Sequence, residues 1–124
     1  MIRLGTIVLG VEDVERAVSF WSAVLEYEPV RFPGSENDFT ILRPPSGVGT
    51  RVAVQRTETP AQEHPRVHLD LVVDDAEEQA SETERLVALG ATRVDWGSYP
   101  EDPDFIVLAD PDGNRFCVVD ASHD

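Results

Sequence analysis

The 124-residue sequence predicts an α+β fold of two tandem βαβββ modules, and three features carry that prediction. Strand-like and helix-like segments run in the order strand, helix, three strands, and that order occurs twice. Thr6-Ile7-Val8-Leu9-Gly10-Val11-Glu12-Asp13 lines up with His68-Leu69-Asp70-Leu71-Val72-Val73-Asp74-Asp75 at a shift of 62 residues, with strand class and capping acid in step. Two short modules of equal order must bury their sheets against each other or against a partner chain. The whole length fits one compact domain.

In the first module, residues 2–11 are rich in β-branched and aliphatic side chains and read as a buried strand. Asp13 is placed to cap a helix in which Val14, Ala17, Val18, Trp21, Val24 and Leu25 recur at helical spacing. That apolar face should pack on a sheet, and Pro29 is expected to end the helix. DFTILR at 38–43 and TRVAVQR at 50–56 read as strands joined by the turn-forming PPSGVG at 44–49. TETPAQEHP at 57–65 has two prolines and no apolar periodicity, so it reads as a connector. The expected division is therefore module one at 1–56, connector at 57–65 and module two at 66–124.

In the second module, RVHLDLVV at 66–73 alternates, with Val67, Leu69, Leu71 and Val73 on one face and Arg66, His68 and Asp70 on the other. Asp74 or Asp75 can cap a second helix that carries Ala76, Ala80, Leu86, Val87 and Leu89 among many glutamates, with Gly90 placed to close it. This helix should be the more exposed of the two. Glu77, Glu78, Glu82 and Glu84 read as its solvated face rather than as catalytic acids. ATRVDW, DFIVLA and RFCVVD follow as strand candidates. In DPDGN, between the last pair, Pro111 suits the second position of a type I turn and Gly113 tolerates positive φ.

Composition narrows the partners. Lys and Arg number 10 against 24 Asp and Glu, and the resulting charge of −14 disfavours nucleic acid and anionic membranes. A small anion could still be held by a local residue such as Arg43, Arg51 or Arg66. The single cysteine, Cys117, rules out an intrachain disulfide framework, and the opening residues lack the apolar run of a secretory signal, so a cytoplasmic location is expected. No stretch approaches the ~20 apolar residues of a spanning helix. Gly-rich phosphate loops, CxxC pairs and HExxH are absent, which removes nucleotide enzymes and zinc proteases from consideration.

VEDVERAVSFWSAVL after the first strand, HLDLVVDD opening the second half, LVALGAT ending the second helix and DPDGNRFCV near the close come in a telling order and spacing. Together they resemble the vicinal-oxygen-chelate superfamily of glyoxalases, bleomycin resistance proteins and dioxygenases, in its short glyoxalase-like branch. The resemblance covers nearly the whole chain. It implies tandem βαβββ modules whose sheets curl into an open cleft, and a homodimer, as in many relatives. In metal-dependent members it implies a divalent ion held by four side chains, which acts as a Lewis acid on two neighbouring substrate oxygens.

Carried over, those four places fall on Thr6, Gln55, His68 and Cys117, with 49 residues separating both Thr6 from Gln55 and His68 from Cys117. Thr is a poor ligand and a Gln oxygen a weak one, so only His68 and Cys117 could bind Zn²⁺ or a similar ion firmly. The expectation is an incomplete metal site and no cofactor.

His68, on the polar face of its strand, is the best single candidate for an acid, base or hydrogen-bond donor. Its alternative is a strand histidine facing solvent or bonded within the barrel. Cys117, between Phe116 and Val118, reads as a buried inert thiol or as a cleft-lining one. Trp96 and Tyr99 lie in the Gly- and Pro-containing DWGSYPEDPDF, where loop aromatics either wall a ligand cleft or pack on the core. Trp21 and Phe39 read as core. The expected function is binding of a small organic molecule without a complete metal site. The alternative is a lyase, isomerase or dioxygenase of the same superfamily, using His68 with or without a metal.

Overall fold

The computed structural model describes residues 1–123 and divides into two compact units, Met1–Pro60 and Ala61–Asp124. The first contains β1 (Thr6–Val11), α1 (Val14–Leu25), β2 (Glu28–Arg31), β3 (Phe39–Arg43) and β4 (Arg51–Arg56). The second contains β5 (Asp70–Val73), α2 (Ala76–Leu89), β6 (Thr92–Arg93), β7 (Phe105–Ala109) and β8 (Arg115–Asp120). Each is a βαβββ module with a four-stranded sheet, ordered β1-β4-β3-β2 in one and β5-β8-β7-β6 in the other. In both, the first strand runs parallel to the last, and the remaining pairs are antiparallel. A parallel pair needs a crossover, and here the helix and two strands supply it.

Asp13 caps α1 as expected, accepting the Arg16 N–H at 3.1 Å. The helix stops at Leu25 because Glu26 turns left-handed at φ 57°, its N–H donating to the Ser22 carbonyl. Pro29 is not the terminator; it lies within β2, a strand that the sequence reading counted without placing, opposite Leu42. As an edge strand, β2 tolerates a residue that cannot donate to a ladder. The first strand begins at Thr6 rather than at residue 2, because its ladder partner β4 begins only at Arg51, opposite Thr6. Val52, Val54, Leu42 and Thr40 pack with Trp21, Ala17 and Val18 of α1 to form the first core. Phe39 is only half-buried and lies on the sheet face away from that core, beside Gln55.

In the second unit the ladder starts at Asp70, although the Cys117 N–H still reaches the Leu69 carbonyl at 2.9 Å. Val67, expected to point inward, is exposed because no strand lies beside it. Asp75 caps α2 through the Glu78 N–H at 2.8 Å, and Gly90 closes it at φ 124°. Only Thr83 and Leu86 of this helix are buried, so Ala76, Ala80, Val87 and Leu89 contribute less than their spacing suggested. Gln79 compensates by donating from Nε2 to the carbonyls of Asp104 (3.0 Å) and Val118 (2.9 Å), tying α2 to the sheet.

ATRVDW yields only the two-residue β6, since the loop beyond carries Pro100, Pro103 and left-handed Gly97 and Asp102. The DPDGN turn forms as expected: the Gly113 N–H donates to the Asp110 carbonyl at 2.9 Å, and Gly113 has φ 90°. The buried Asp110 carboxylate holds the turn by accepting the N–H groups of Asp112 and Asn114. No helix among the described residues is long and apolar enough to cross a membrane.

Candidate functional site

Alternation along β5, β7 and β8 sorts the second sheet into two faces. Val73, Leu108, Phe116 and Val118 are buried on the side that α2 covers. Asp70, Cys117, Val119, Phe105 and Val107 share the other face, which no helix covers. On that face lies a pocket of about 440 Å³. Its floor is apolar, formed by Phe105, Val107 and Val119, while Trp96, His64 and Pro65 stand around it and His68 and Arg115 contribute polar atoms.

Strand register sets the polar group. Cys117 is the direct ladder partner of Asp70, and His68 lies two residues before Asp70 on the same side. His68 Nε2 is 3.1 Å from Asp70 Oδ1, with both side chains about half exposed, so the carboxylate fixes the orientation of the ring. One donor atom each from His68, Asp70 and Cys117 lies within 4.8 Å of the others. Burial, then the charge and hydrogen bond of Asp70, then the charge of Asp104, push the Cys117 thiol up to about 11. At neutral pH it is a protonated, poorly nucleophilic group. Nitrogen, oxygen and sulfur donors at this spacing fit a zinc-like ion in type, provided that the thiol gives up its proton on binding.

Around this group, Trp96 stacks obliquely on His64, centroids 4.8 Å apart. Tyr99 lies outside the pocket lining: its ring packs on Phe105 at 5.3 Å and its hydroxyl accepts the Val107 N–H at 2.7 Å. That hydroxyl takes the place of a strand carbonyl where β6 ends. Arg115 shares the pocket face with Cys117, and among the described residues its buried Nε has no hydrogen-bond partner.

Thr6 and Gln55 belong to the first unit and are not side by side. Thr6 faces Arg51 in the β1–β4 ladder, whereas Gln55 faces Gly10, four residues further on. The shift of 62 that matches His68 to Thr6 matches Asp70 to Val8, whose ladder partner is Ala53. Ala53, not Gln55, is therefore the register counterpart of Cys117. The equal spacing of 49 misleads because ladder partners are 45 residues apart in the first unit (Thr6 and Arg51) and 47 in the second (Asp70 and Cys117).

The structure thus brings His68, Cys117 and Trp96 into one pocket and adds His64, Asp70 and Arg115, which sequence reasoning did not place there. Arg115 was findable, since alternation in RFCVVD puts it on the face of Cys117. His64 was hidden in a stretch with no periodicity. Arg43, considered as an anion holder, is instead paired with Glu28 at 3.6 Å.

A family model described as a glyoxalase-like domain matches residues 6–119. Comparison with curated proteins finds no match. Solved structures share the fold. A glyoxalase-related enzyme from Fulvimarina pelagi is similar at TM-score 0.71 and 20% identity, over 98% of this chain and 90% of that one. A glyoxalase/bleomycin resistance protein/dioxygenase family enzyme from Burkholderia phytofirmans gives 0.73 and 18%, over 96% and 98%. The fosfomycin resistance protein FosX from Listeria monocytogenes gives 0.70 and 23%, over 96% and 91%.

Proposed function

Because this chain belongs to the glyoxalase-like domain family, within the vicinal-oxygen-chelate superfamily, we propose that the pocket of its second unit binds a small organic molecule without a resident metal ion. The observation that carries this reading is the pocket itself: about 440 Å³, apolar-floored, with an oriented imidazole at its side. Ligand sites have this make-up, mostly apolar with a few fixed polar groups. The absence of a metal from the reading is supported by the Asp70 carboxylate already engaging His68. In the first unit the register counterparts of Asp70 and Cys117 are Val8 and Ala53, which offer no ligand atoms. The same reading has the chain as a homodimer, to whose contact the exposed apolar strand positions Val8 and Val72 would contribute.

The test is a thermal-shift screen of uncharged aromatic and dicarbonyl compounds, then calorimetric titration of wild type and His68→Ala with each hit. Loss of one hydrogen bond should weaken binding by roughly 1 to 3 kcal/mol where the partner is left buried and unpaired. Folding stability should move by only about half a kcal/mol, since His68 is outside the core. Equal affinities would make His68 structural, and a screen without hits would remove the binding reading.

A second reading is favoured by the three donor atoms of His68, Asp70 and Cys117 within 4.8 Å. It is a divalent-ion-dependent lyase, isomerase or dioxygenase. There, those residues would hold the ion, which would supply Lewis-acid polarisation of substrate oxygens. Elemental analysis of protein purified without chelator or added metal decides between the two. About one Zn, Ni, Mn or Fe per chain, lost in His68→Ala, would replace the first reading with the second.

A further inference from the structure

We propose that Arg115 makes the pocket an anion site, receiving the carboxylate of a small organic acid whose flat apolar body lies along Trp96 and Phe105. This deepens the binding reading above and rests on it. Three observations converge on Arg115. It lines the pocket, and among the described residues no carboxylate pairs with it, so an anion entering the pocket meets an uncompensated guanidinium.

Three other arginines show how unusual this is. Arg31, Arg43 and Arg85 sit on the surface, each paired with a glutamate: Glu15 at 3.2 Å, Glu28 at 3.6 Å and Glu82 respectively. Arg115 is more buried than a surface arginine, yet among the described residues neither carboxylate of its pocket, Asp70 or Asp104, forms an ion pair with it; Asp70 bonds His68 instead. The ladder partner of Arg115 is Ala109, so no large side chain stands opposite the guanidinium.

The planar fork of a guanidinium matches a carboxylate with two parallel hydrogen bonds. Against a chain charge of −14, long-range attraction cannot draw an anion in, so selection for one must come from the site itself. The floor of Phe105, Val107 and Val119 and the Trp96 ring leave the rest of the ligand apolar.

The experiment pairs acids with their uncharged primary amides: benzoate with benzamide, phenylacetate with phenylacetamide, indole-3-acetate with indole-3-acetamide. Affinities are measured by calorimetry for wild type, Arg115→Gln and Arg115→Lys. Acids should bind wild type about tenfold or more tightly than amides, as a charge-assisted bond predicts. Arg115→Gln should erase that preference, and Arg115→Lys should retain part of it. In wild type, benzoate should also shift the Arg115 Nε–H resonance, a readout that does not depend on the variants folding. Amides that bind as well as acids, or a preference that survives Arg115→Gln, would overturn the anion site and leave the pocket reading intact. Failure of both series to bind at millimolar concentration would overturn the two together.

Discussion

The two units share an element order, a strand order and a pattern of parallel and antiparallel pairs, yet their helix-free sheet faces differ in kind. Along the first sheet that face carries Val8, Ala53 and Ile41 at the positions where the second carries Asp70, Cys117 and Val107. The fold is thus duplicated while the chemistry is not, and a site is something added to one copy of a scaffold. The helices differ in the opposite sense. α1 buries Val14, Ala17, Val18, Phe20, Trp21 and Val24, whereas α2 buries only Thr83 and Leu86. The unit with the richer face has the poorer core.

The largest effect expected from this contrast is in stability. Trp21 is 1% exposed and meets Phe20 edge-on at 5.1 Å, so Trp21→Ala should cost roughly 3 to 5 kcal/mol. Leu86→Ala, 2% exposed, should cost about 2 to 3 kcal/mol, near the low end for buried leucine, because α2 buries fewer side chains than α1. Chemical denaturation of both variants measures the difference, and equal costs would show that the second core is as tightly packed as the first.

A smaller effect separates two aromatic residues of one loop. Tyr99→Phe removes the acceptor for the Val107 N–H and should cost about 1 to 3 kcal/mol of stability with faster hydrogen exchange at Val107. Trp96→Ala, at the pocket wall, should instead weaken ligand binding and leave the Val107 amide protected. If the two variants behave alike, the loop acts as one packing unit and the assignment of Trp96 to the pocket loses its support.

How far the sequence itself revealed this arrangement follows from range. Caps at Asp13 and Asp75, the Gly90 stop and the DPDGN turn are settled by residues within a few positions, and all were readable. The repeat was readable because it lies in strand-to-helix junctions. Register was not: whether Cys117 pairs with Asp70 or Gln55 with Thr6 depends on loop lengths between strands, which differ in the two units. β2 was not placed because its four residues include a proline and two charges. His68 and Cys117 could be named in advance, and alternation in RFCVVD was enough to put Arg115 on the face of Cys117, but the pairing of Asp70 with Cys117 emerges only once ladder partners are known.

The smallest effect concerns the end of the second unit, which the first unit does not match. His123 Nε2 lies 3.2 Å from Asp102 Oδ2, clasping the tail to the loop that carries Trp96 and Tyr99. Asp102 itself adopts φ 53°, a left-handed conformation uncommon for a residue with a Cβ. The hydrogen bond to Asp102 raises the His123 pKa above 6.5, helped by the charges of Asp102, Asp104 and Asp120, while partial burial opposes the rise. A raised folded-state pKa means that the folded chain holds this proton more firmly than the unfolded one. The clasp is therefore fully effective below pH 6.5 and fades as pH rises through the elevated folded value. Because Asp102 is almost fully exposed, the contribution of the pair is small and salt-sensitive. Hydrogen exchange at the amides of residues 98–104, followed from acid to alkaline pH and corrected for intrinsic rates, should show protection falling across that window in wild type. In His123→Gln the fall should vanish, and adding salt should mimic the alkaline state. A pH dependence that persists unchanged in His123→Gln would show that His123 is not its source and leave the tail without a role in holding the loop.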